Sequence, residues 1–136
     1  MADAAEPDVQ TDVRPAFRNE EGHLDADYLG SVETALDAGD RTRLEELTED
    51  LHEADVAELL TALAPDNRVR FVASLGTDFD YTALTEVEEP IRLQILANLP
   101  PDTVAKGLAA LDSDDAVYIL EDLDEDEKQA ILARLP

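Results

Sequence analysis

"LPPDTVAKGLAALDSDDAVYILEDLDEDEKQAILARLP", residues 99–136, repeats its pattern every twelve residues. With the chain set in rows of twelve, Leu99, Leu111, Leu123 and Leu135 form one column, and Leu96, Leu108, Leu120 and Leu132 stand three places earlier. Residues three and four apart share one face of an α-helix, so each row reads as a short helix with one apolar stripe. The rows continue backward. Leu51, Leu63, Leu75 and Val87 extend the first column, and Thr48, Leu60, Val72 and Leu84 the second. Four places before the anchor come Leu47, Leu59, Phe71, Ala83, Ile95, Gly107, Ile119 and Ile131. This third column widens the stripe enough to meet a core on more than one side. Twelve residues accommodate a helix of about nine or ten and a tight turn.

The junctions agree. "APDN" (64–67), "LGTD" (75–78), "EEP" (88–90), "LPPD" (99–102), "LDSD" (111–114) and "LDED" (123–126) place Pro, Gly, Ser or Asp where one helix stops and the next is capped. Upstream, "LDADYLGSVETALDAGD" (24–40) reads as a longer amphipathic helix ended near Gly39. Helices this short are marginal alone, so stability must come from stacking row on row. The fold class expected is all-α: a right-handed superhelix (α-solenoid) of about nine short helices with a period of about twenty-four residues per helix pair. Leu60, Leu84, Leu96, Leu99, Leu108, Leu111, Leu120 and Leu123 are expected in its core. Residues 1–22 carry two prolines and no periodicity, and read as a flexible acidic tail before a domain at 23–136. Phe17 beside Pro15 in that segment reads as an incidental aromatic of the tail, with a short docking segment as the alternative.

Composition narrows the function. The chain has 136 residues, no cysteine, and 34 acidic against 10 basic residues, a net charge of -24. That charge repels phosphate backbones and anionic lipid, and favours cations or basic surfaces as partners; no nucleic-acid partner is expected. There is no apolar run long enough to span a bilayer, and the N-terminus lacks the pattern of a signal peptide. Gly-rich phosphate loops and Ser/His/Asp arrangements are absent, so catalysis is not expected. His23 and His52 stand alone, without a second His or Cys at ligand spacing. Gly107, in the packing column of its row, most simply permits close approach of a neighbour.

Three features together resemble the intracellular N-terminal domain of MgtE-type magnesium transporters and channels: the "L-H-x-A-D-x-A-x-L-L" entry at 51–60, the twelve-residue rows, and "D-D-A-V-Y-I-L-E-D-L" at 114–123. The similarity runs from about residue 24 to the end. The resemblance implies a superhelical domain that precedes a pair of cystathionine-β-synthase-type (CBS) domains and a membrane pore in one parent polypeptide, itself a homodimer, at the cytoplasmic face of the cell membrane. It implies a sensor: at high magnesium, Mg2+ bridges the acidic surfaces of the N domain and CBS pair and the pore closes. Magnesium sheds water reluctantly and takes few carboxylates, which suits a hydrated ion between two acidic surfaces and only weak binding to the isolated domain.

Matched to the family pattern, Asp114 and Asp115 are the expected metal ligands; Glu121 and Asp122 are weaker candidates. Tyr118 stands where some relatives carry a further carboxylate, and a phenol is a poor magnesium ligand. The competing reading is local: Asp112, Asp114 and Asp115, like Asp124, Glu125, Asp126 and Glu127 one row on, could simply cap helices and face their positive ends. A different class also fits the residues. An acidic α-solenoid could be a scaffold whose surface binds a basic partner. A high-salt or high-GC background could add to the acidity without any function.

Overall fold

The computed structural model describes residues 15–135, and the chain divides into two compact units, residues 1–50 and 51–136. The tail reading for residues 1–14 lies outside the described residues. In the first unit, α1 (Ala26–Ala38) packs against α2 (Arg41–Thr48). Asp25 caps α1 by accepting from the Asp27 and Tyr28 amides, and Gly39 ends it at a φ of 65°, a left-handed conformation that costs glycine little. Tyr28 is buried and its hydroxyl donates to the Leu47 carbonyl at 2.7 Å. Phe17 packs edge-on against Tyr28, ring centroids 5.1 Å apart. Asn19 folds the segment before α1 back on itself by accepting from the Glu21 and His23 amides.

The second unit holds the rows. After α3 (Glu53–Ala62), the helices α4 (Pro65–Leu75), α5 (Glu89–Ala97), α6 (Pro101–Ala109), α7 (Ser113–Glu121) and α8 (Glu125–Leu132) begin where the junction residues predict. Pro65 and Pro101 occupy first helical positions, where the missing N–H is no loss. The row between α4 and α5 is different. It forms two 3-10 segments, Gly76–Asp78 and Tyr81–Thr85, because Gly76 at φ 56° breaks α4 and the Asp80 side chain accepts from the Thr82 amide to start a tighter turn. No strand is found among the described residues, so the fold is all-α. Among the described residues, eight α-helices and two 3-10 segments stand where about nine helices are expected.

Alternate rows pack on one another, as a helical repeat requires: α3 on Tyr81–Thr85, α4 on α5, and α6 on α8. All but one of the leucines expected in the core are buried; the exception, Leu111, is half-exposed. Leu111 lies in the junction after α6, whose last turn ends at Ala109, so it sits beyond the packed face of its own helix.

Gly107 has the role its column suggests. A Cβ at this position would overlap the ring of Tyr81, which lies buried across α6. Burial also pushes the Tyr81 phenol up to about 12, so its ionisation opposes the fold as pH rises from about 10 to that value. Gly107→Ala gains about 1 kcal/mol of helix propensity but overpacks a ring with no route to solvent. Overpacking costs about 1–3 kcal/mol, and a direct overlap belongs at the upper end. A net loss of about 2 kcal/mol is expected in urea unfolding, much reduced in a Tyr81→Ala background. An unchanged or raised stability for the single variant would show that the ring does not occupy this space.

Candidate functional site at the start and outer face of α7

The two acidic clusters differ in what they do for their helices. At α8, Asp124 is the N-cap and accepts from the Glu127 amide at 2.9 Å. Burial, with the charge and hydrogen bonding of Asp124, pushes the Glu127 carboxyl above its ordinary range. At α7, Asp112 occupies the N-cap position with extended backbone but makes no side-chain capping bond, and Asp114 and Asp115 follow in the first turn. None of these three side chains is engaged in a hydrogen bond or ion pair among the described residues. The local reading therefore holds for Asp124 and fails, as a hydrogen-bonding matter, for Asp112. Asp114 is exposed and Asp115 half-buried, at the end of the helix where unpaired amides favour negative charge.

The candidates further along α7 separate. Asp122 is committed: its carboxylate accepts from Arg92 Nη2 at 2.8 Å. Glu121 is exposed and unengaged. Tyr118 is 44% exposed, with the Arg92 guanidinium 4.9 Å from the centre of its ring. The phenol at this position thus covers a cation that α5 supplies.

Arg92 is the residue that reading the columns for leucine passes over. Only 2% of it is exposed, and beyond Asp122 and Tyr118 its Nη1 faces the Leu84 and Val87 carbonyls at 3.5 and 3.4 Å. Its Nε is buried without a partner. The signal was present in the rows. Seven places before the anchor stand Val56, Arg68, Asp80, Arg92, Val104, Ala116 and Lys128, a column that is half-buried or buried at every place but the exposed Asp80, and where it is buried a cation must find carbonyls or a carboxylate. Arg68, twenty-four residues before Arg92, confirms the device: its guanidinium donates to the Leu60 and Thr61 carbonyls at 2.7 and 3.1 Å, at the end of α3. Both arginines reach the carbonyl eight residues back, closing the C-terminal end of the preceding row.

A cation test of this surface gives a partial fit. No group of three or more His, Asp or Glu side chains converges to hold a metal among the described residues. Asp114 and Asp115 are adjacent on one turn, so they point about 100° apart and offer oxygens singly. That donor set suits a hydrated magnesium ion, which keeps several waters and takes one or two carboxylates, and does not suit a closed protein cage. His52 serves elsewhere, at the N-cap of α3, with its amide donating to Asp55 at 3.3 Å.

Stacked short helices, with uncommitted carboxylates at the start of α7, define an acidic helical-repeat domain. Residues 51–136 match the family described as the MgtE intracellular N domain, and the chain belongs to that family. The matched span coincides with the second compact unit. The family is one of cytoplasmic domains of membrane magnesium transporters, and among the described residues no helix is long and apolar enough to cross a membrane. Neither the curated proteins nor the solved structures contain a match to the chain.

Proposed function

We propose that this chain is the magnesium-responsive regulatory domain of an MgtE-type transporter, and that Asp114 and Asp115 contribute half of a bridging site completed by carboxylates of a CBS pair. The observation that carries the proposal is the start of α7, where Asp112, Asp114 and Asp115 remain unengaged while the equivalent Asp124 is used for capping. Magnesium at this surface supplies charge that offsets carboxylate repulsion between two acidic faces. The residues of the chain do the rest. α7 holds Asp114 and Asp115 at its positive end, Arg92 draws Asp122 away from the site, and a net charge of -24 biases the domains apart when the carboxylates are not neutralised. The closed arrangement gains population only by its excess affinity for the ion, and pore closure follows that population.

In the full-length transporter, Asp114→Ala together with Asp115→Ala should raise the magnesium concentration that protects the N domain to CBS linker from protease, by about tenfold, equivalent to about 1.4 kcal/mol. Glu88→Ala with Glu89→Ala is the matched control, since that pair also lies exposed at a helix start. Each pair sacrifices about 0.3–1 kcal/mol of dipole stabilisation per carboxylate, so thermal stability is compared alongside. Equal shifts from both pairs would make the effect one of bulk charge, and a wild-type midpoint for the Asp114/Asp115 variant would remove the assignment. The isolated chain should bind magnesium weakly in calorimetry, because it carries part of each site; tight stoichiometric binding would contradict a shared one.

A further inference from the structure

One face of α7 is built for contact of another kind. Asp114, Val117, Tyr118 and Glu121 are spaced i, i+3, i+4, i+7, so they form a single stripe, and all four are exposed, while Ile119 and Leu120 on the opposite side are buried. Val117 is 59% exposed and Tyr118 44%, and together they make an apolar centre with one unengaged carboxylate a turn before it and another a turn after. The tyrosine is held as well as exposed. Arg92 lies under its ring at 4.9 Å and is itself fixed by Asp122 and by the Leu84 and Val87 carbonyls. A ring with few rotamers, backed by a buried cation, loses little freedom on being covered.

We infer that this stripe is a docking site for a basic amphipathic protein segment, one that places an apolar side chain over Val117 and Tyr118 and a Lys or Arg toward Asp114 and Glu121. Charge complementarity selects the occupant. An acidic face attracts cationic partners and repels anionic lipid, and the apolar centre supplies the area that long-range attraction lacks. The site shares Asp114 with the magnesium reading and differs from it in its apolar centre, since Val117 and Tyr118 ligate no ion.

The test uses a labelled helical peptide with Leu and Lys at heptad spacing, and a scrambled peptide of the same composition without an apolar stripe, titrated into the chain by fluorescence anisotropy. The patterned peptide should bind at least about tenfold more tightly than the scrambled one, and Val117→Ser with Tyr118→Ser should erase most of that difference. Val117→Ser alone, which leaves the Arg92 stack intact, should weaken binding about threefold or more, and Leu132→Ser, an exposed apolar residue outside the stripe, should leave it within about twofold. Tyr118→Phe keeps the ring and should retain binding. Equal affinity for both peptides, or an unchanged affinity in Val117→Ser, would overturn the inference and leave only attraction to the overall charge.

Discussion

Arg92→Ala should destabilise the second unit by about 3–5 kcal/mol, in the range for breaking a buried charge pair or emptying a large core position. The side chain is among the largest that are fully buried, so truncation leaves a cavity as well as two carbonyls, Leu84 and Val87, that have lost a donor. Two further variants separate these causes. Arg92→Met restores most of the volume and none of the hydrogen bonds, and should cost about 1–3 kcal/mol. Asp122→Asn keeps the arginine with its carbonyls and offers a neutral acceptor; because Asp122 is 34% exposed its charge is partly screened, and the cost should be near 1 kcal/mol. Urea unfolding gives the order directly. If Asp122→Asn is as damaging as Arg92→Ala, the ion pair outweighs packing and this ranking is wrong.

The consequence reaches function through Tyr118. Arg92 links α5, the end of the Tyr81–Thr85 segment and α7, so the outer face of α7 is fixed to the interior by one guanidinium. A sheet or a disulfide would normally supply such cross-ties in a small domain. Here, with no cysteine and short helices, a buried cation does so in an otherwise strongly acidic chain.

Most of the fold was legible because twelve-residue spacing and helical geometry coincide: Leu60, Leu84, Leu96 and Leu108 are buried for the reason their column implies. The junction prolines and aspartates likewise fall at helix starts. What escaped has physical causes. The row 76–87 keeps the apolar columns but carries Gly76 and Asp80 at positions that favour tighter turns, so Leu84 and Val87 are buried without an α-helix beneath them. Periodicity reports which side faces in and says little about 3-10 against α. Arg92 escaped because the columns were read for apolar residues alone, and its burial depends on the Leu84 and Val87 carbonyls and Asp122 that meet it in the fold. The Asp114/Asp115 cluster could be located in the sequence, but whether its members cap their helix depends on side-chain rotamers, which no spacing encodes.

Truncating leucines along one column would test how burial is graded across the rows. Leu→Ala changes helix propensity little, so the loss measures packing. Leu108, 2% exposed between α6 and its neighbours, should cost about 2–5 kcal/mol when truncated, with the residual cavity deciding where in that range it falls. Leu120, at 8%, belongs to the same class but lies nearer the surface, and a value toward the lower end is expected. Leu132 holds the same column position one row later and is 41% exposed, because no described row follows α8 to cover that side. Its truncation should stay within about 0.5 kcal/mol. The gradient, measured as changes in urea midpoint at constant slope, distinguishes two pictures of a helical repeat. If each row were stabilised within itself, the three substitutions would cost alike. If stability comes from alternate rows covering one another, the cost must fall from Leu108 to Leu132, and an equal loss at both would refute the stacking described for α6 and α8.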